Sequence, residues 1–113
     1  MIYGDWKTAT IANAGTLSGI VDLGRDWEIA QLAFDAMTAA DIGILVSPTN
    51  STFYNLAKPL NGAVYLGSDT AIFNCLTGNF ATEILLGGFQ YVKVNASVAQ
   101  GAARSITIRG CRS

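Results

Sequence analysis

The side chains able to do chemistry are few, and their types and spacing exclude most of it. The 113-residue chain has no histidine, so it lacks the usual general base near neutral pH and the commonest transition-metal ligand. Serine–histidine and cysteine–histidine nucleophile systems cannot be assembled within it. Cys75 and Cys111 are far apart and have no CxxC spacing, so they do not make a structural zinc site. Asp22, Asp26 and Glu28 form the one local acidic cluster. A carboxylate pair there could in principle hydrolyse a glycoside or hold calcium, but the spacing is not that of a ligand loop, and solvated turn charges account for it. Gly15-Thr16-Leu17-Ser18-Gly19 and Gly87-Gly88 match no phosphate-cradling loop, because no helix is expected after either. The expectation is a protein that is not an enzyme, with no catalytic residue, cofactor or metal.

The composition points to contacts instead. Charged residues make up 13% of the chain and apolar residues 50%, against about 25% charged in soluble domains. A lone domain of this make-up has trouble covering its surface with polar groups. It either enters a membrane or hides surface against protein partners. A spanning helix needs about 20 consecutive apolar residues, and Asp, Arg, Asn, Thr or Gly interrupts every run here, which favours partners, with a merely Ala-rich and Gly-rich monomer as the alternative. Seven basic and eight acidic residues are spread along the chain for a net charge of −1. No basic stripe exists for nucleic acid or for polybasic membrane attachment. The opening residues lack the pattern of a secretory signal, so synthesis in a reducing cytosol is expected. The two cysteines then read as free thiols, with a disulfide between them as the alternative. Two glycosylation sequons, at Asn50 and Asn95, read as accidental matches.

The elements that must carry any contact surface are strands. The plainest signal is the run Ile42 to Ser47, a break at Pro48 with polar residues after it, and a second apolar run from Phe53. This is the pattern of a hairpin. Residues 7–12 and 17–23 read as strands separated by Asn13-Ala14-Gly15, with a reversal at Gly24-Arg25-Asp26. Trp27 to Phe34 has apolar groups on both faces and therefore a central place. Residues 35–41 read as a loop with room for one helical turn. Lys58 to Gly62 reads as a turn, Ala63 to Leu66 as a short strand, Gly67 to Thr70 as a turn and Ala71 to Leu76 as a strand. Thr77 to Leu86 suits either a loop or a helical turn. The clearest alternation is in 89–96, with Val92, Val94 and Ala96 inward, and in 104–109, with Ile106 and Ile108 inward and Ser105, Thr107 and Arg109 outward. About eight strands in one domain, residues 1–113, predict an all-β, antiparallel two-sheet sandwich of jelly-roll-like arrangement. An immunoglobulin-like strand order competes with it. Residues 1–7 read either as a short edge strand or as an N-terminal arm, with Tyr3 and Trp6 either exposed for contact or covering one end of the core.

Three segments carry a resemblance. They are Thr10-Ile11-Ala12-Asn13-Ala14-Gly15-Thr16-Leu17-Ser18 with Val21-Asp22-Leu23-Gly24, then Met37-Thr38-Ala39-Ala40-Asp41-Ile42 leading to Thr52-Phe53-Tyr54-Asn55-Leu56, and finally Tyr91-Val92-Lys93-Val94 with Gln100 to Ile108. In this order they resemble small β-sandwich virion proteins of tailed bacteriophages, some of which decorate or cement the capsid. The resemblance implies a structural virion protein, made in the host cytoplasm, that sits on the capsid surface, binds the major capsid protein, bridges shell subunits and forms a dimer or trimer. It transfers no catalytic residue. Candidate contact residues are the aromatics outside the strand alternation: Tyr3, Trp6, Tyr54 and Phe80. The alternative function is a carbohydrate-binding or tail-associated adhesion module, in which Trp6 or Trp27 would lie flat and exposed beside carboxylates.

Overall fold

The computed structural model describes residues 2–35, 37–38, 40–56, 73–75 and 80–112. Its elements are all strands: β1 (Ile2–Tyr3), β2 (Lys7–Ile11), β3 (Val21–Phe34), β4 (Ala40–Ser47), β5 (Tyr54–Asn55), β6 (Phe73–Cys75), β7 (Phe80–Ala96) and β8 (Arg104–Arg112). Every pairing is antiparallel. The main path runs β1-β8-β3-β7-β4-β5, with β2 also on β8 and β6 also on β4. Since β1 and β2 line one edge of β8, and β5 and β6 one edge of β4, the strands fill six positions across the sheet.

The antiparallel all-β expectation stands, and the two-sheet, jelly-roll-like arrangement of about eight strands is corrected to one sheet of six strand positions. Among the described residues the hydrogen-bonded ladder is one continuous sheet. The cause lies in two strands long enough to run on through a bend, β3 with 14 residues and β7 with 17. Both bend at glycines whose positive φ few other residues tolerate: Gly24 (φ 86), Gly87 (φ 77) and Gly88 (φ 93). Beyond the bend Ile29 to Phe34 pair with Leu85 to Phe80, before it Val21 and Asp22 pair with Val92 and Tyr91, and the register shifts between. The reversal expected at Gly24-Arg25-Asp26 is therefore a kink within one strand. Residues 80–86, read as a loop or helical turn, are the first half of β7. Bridges Ile11↔Ser18 and Leu17↔Asn95 then tie the end of β2 to the far half of β7, so the sheet curls back towards itself. The turns and strand expected between residues 58 and 70 lie outside the described residues.

The core lies inside the bend and draws on β2, β3, β4, β7 and β8. Strand alternation puts Ile42, Ile44 and Val46, Val92 and Val94, and Ile106 and Ile108 there, all essentially without exposure. Burying each such side chain stabilises the fold by about 1.5–3 kcal/mol. Trp27 closes the corner. Its indole Nε1 donates to the Leu23 carbonyl at 3.0 Å, and its ring lies so close over Gly110 that an added Cβ would collide with it.

A second device fastens the opposite side of the core. Gln100 is 1% exposed. Its Oε1 accepts from the Thr38 N–H at 2.9 Å, and its Nε2 donates to the carbonyls of Val98 at 3.0 Å and Thr38 at 3.3 Å. Its backbone bonds Ala14 and Gly15. The three segments that carry the sequence resemblance meet at this residue, two through its side chain or its own stretch and the first through its main chain.

Candidate interaction surface

The outward residues of β8, β3 and β7 form three cross-strand rows: Cys111–Ile29–Leu85, Arg109–Gln31–Glu83 and Thr107–Ala33–Ala81. They face out because Ala30, Leu32 and Phe34, the alternate residues of β3, face the core. Only Arg109 and Glu83 in these nine positions carry charge. β1 and β2 add the aromatic component. From Tyr3 to Lys7 the edge takes one residue more than β8 does from Cys111 to Ile108, and this bulge is held to β8 by the Gly4 N–H donating to the Gly110 carbonyl at 2.8 Å. A bulge re-aims side chains, and here Tyr3 and Trp6 both reach Arg109. The guanidinium carbon lies 4.1 Å from the Tyr3 ring centre and 4.6 Å from that of Trp6.

Arg109 Nε donates to Gln31 Oε1 at 2.7 Å, and Gln31 Nε2 donates to Glu83 Oε2 at 3.2 Å. One amide thus joins a cation to an anion across three strands. Trp6, Gln31, Ala33, Ala81, Thr82 and Glu83 border an open groove of about 430 Å³. Tyr3 and Trp6 are about half exposed and Leu85 is 69% exposed. Arginine, tryptophan and tyrosine are the residue types that dominate protein contacts, because each combines a large apolar area with a polar tip. Cys111, a free thiol in the same face, is buried. Burial pushes its ionisation up and the Glu83 charge adds to this, so it stays a neutral packing group rather than a nucleophile.

The structure thus brings two of the four expected contact residues, Tyr3 and Trp6, to one place. Residues 2–3 are the edge strand of the two readings, docked on β8 of the same chain. Tyr54, 57% exposed, lies on β5 at the other end of the strand path. Phe80 opens β7 opposite Phe34, and its side chain is outside the described residues. Trp27 is buried and presents no flat face to a sugar. Arg109 was legible as outward-facing, but Gln31, Glu83 and Leu85 were not singled out by sequence. Their signal is the parity of β3 and β7, which was obscured where apolar residues fall on both faces.

The acidic cluster is structural at Asp22. Its Oδ1 accepts from Gln90 Nε2 at 2.9 Å and from the Gly24 N–H at 2.8 Å. These bonds, that from Gln90 foremost, hold the carboxyl below the usual aspartate range and clip together the two kinked strands. Among the described residues no group of three acidic or sulfur side chains could hold a metal, and no helix is long and apolar enough to cross a membrane.

No family matches this chain, and no curated protein does. Among solved structures, the SPBc2 prophage-derived protein YomS aligns over 97% of this chain and 95% of its own, at 16% identity and a TM-score of 0.55. What the two share is a fold. An IMPa metallopeptidase, solved in complex with T-antigen, aligns over 97% of this chain but 13% of its own, at 14% identity and a TM-score of 0.45. A Bacillus endospore-appendage pilus protein aligns over 99% of this chain and 88% of its own, at 13% identity and 0.41.

Proposed function

We propose that this chain is a structural virion protein of a tailed phage that decorates and cements the capsid by bridging shell subunits, with no catalytic role. The observation that carries the reading is the placement of exposed aromatics at both ends of the strand path, Tyr3 and Trp6 beside β8 and Tyr54 on β5. A bridging protein needs two contact regions, and repeated weak contacts on a lattice add through effective concentration. The low charge, the sequence resemblance and a fold shared nearly end to end with a prophage-derived protein support it. Its partners would be the major capsid protein and further copies of itself, and its location the outer surface of the capsid. Co-sedimentation with empty phage heads tests the proposal. Saturable pelleting with assembled heads, and much weaker binding to unassembled capsid protein, is the expected result; failure to pellet would defeat it.

One observation favours a second reading. Trp6 is exposed beside Glu83 and Gln31 in a groove, which is the setting in which an indole stacks on a sugar ring while polar groups take its hydroxyls. Binding to a glycan array, abolished by Trp6→Ala, would support an adhesion module over a cement protein.

A further inference from the structure

The row Arg109–Gln31–Glu83 runs from positive through neutral to negative across β8, β3 and β7, and this order has a symmetry. We infer that the outer face of these three strands is the interface of a two-fold homodimer, with the axis lying along β3. A half-turn about that line exchanges the β8 and β7 sides and leaves positions along the strand unchanged. Each Arg109 then meets the second copy's Glu83, and Gln31 meets Gln31. The neighbouring rows match by the same operation. Thr107 faces Ala81, Ala33 faces Ala33, and the exposed Leu85 comes over Tyr3, which adjoins the buried Cys111. Trp6, which walls the β8 side of its own copy's groove of about 430 Å³, is carried to the β7 side of the other copy's groove, where Ala81, Thr82 and Glu83 form the opposite wall.

Other occupants fit less well. A partner of one sign would leave either Arg109 or Glu83 facing its like, whereas a second copy neutralises both at once. The small side chains of Thr107, Ala33 and Ala81 leave room on this face for the second copy's Tyr3 and Trp6 rings. The isologous arrangement also closes at two subunits. The inference does not depend on capsid binding, since a dimer forms or fails to form in the absence of heads.

Charge exchange tests it. Sedimentation velocity on the full chain at about 100 µM should give twice the 11.9 kDa chain mass, with dissociation rising as salt screens the paired charges. Arg109→Glu alone and Glu83→Arg alone should each weaken the dimer about tenfold or more by placing like charges together. The double variant Arg109→Glu with Glu83→Arg should recover most of that affinity, because the Gln31 amide can turn to serve the exchanged pair. Thermal unfolding of each variant shows that loss of association is not loss of fold. A chain that remains monomeric, a trimer, or single reversals without effect would overturn the inference, as would a double variant no better than the singles. A dimer that behaves as expected but does not pellet with heads would defeat the capsid reading and leave this one standing.

Discussion

Around Gln100 the polar groups are sealed inside the molecule, whereas around Gln31 they lie at its surface among aromatic rings. Both amides bridge segments distant in sequence, and both use oxygen and nitrogen. The partners differ. Gln100 is saturated by backbone groups of Thr38 and Val98, so its bonds fix where three loops meet and offer nothing outward. Gln31 is bound to Arg109 and Glu83, whose ionised groups keep donors and acceptors to spare. An amide bonded to main chain serves the fold; the same amide bonded to exposed charges orients those charges for something else.

Removing the amide at each place should separate the two jobs. Gln100→Leu leaves the Thr38 N–H and two carbonyls without partners in the interior, which should cost about 3 kcal/mol; denaturant unfolding would measure it, with the association of the surviving folded protein unchanged. Trp6→Ala should do the reverse, changing unfolding by less than about 1 kcal/mol but weakening self-association by about 2 kcal/mol, read by sedimentation. Gln31→Leu should fall between, at about 1 kcal/mol in either measurement, because Arg109 and Glu83 can turn to water. A large unfolding effect of Gln31→Leu would erase the contrast.

Asp22 supplies the smallest effect and a pH signature. Its folded-state ionisation lies below the unfolded value, so its contribution is present above about pH 4, the ordinary aspartate value, and is lost as pH falls through the lowered one. Stability measured between neutral and acid pH should decline less steeply in Asp22→Asn than in the parent chain.

How much of this was legible follows from what each signal depends on. Half-buried strands declare themselves by alternation, and Val92 to Ala96 and Ile106 to Ile108 were placed correctly, inward face included, while the apolar run Ile42 to Val46 was placed as a strand. Gly24-Arg25-Asp26 misled because a glycine of positive φ can turn a chain back or only kink it, and the choice is made by the strands beside it. Residues 80–86 were obscured because Ile84 and Leu86 face the core while Leu85 faces out, so the period of two vanished. At the surface, Tyr3 and Trp6 could be singled out as aromatics outside the alternation. Their assembly around Arg109 could not, since it depends on a bulge and on pairings 52 and 78 residues apart in the chain. Gln100 gave no sign of its importance, because a buried amide resembles any other glutamine until its partners are known.

The long strands β3 and β7 have a mechanical consequence. Each runs through the corner and is paired on both sides of it, so the sheet on one side cannot peel away while the other stays intact. Heat or denaturant should therefore dismantle the curled sheet in a single step, and a cut at the Gly87-Gly88 corner should undo both halves together rather than release one of them whole.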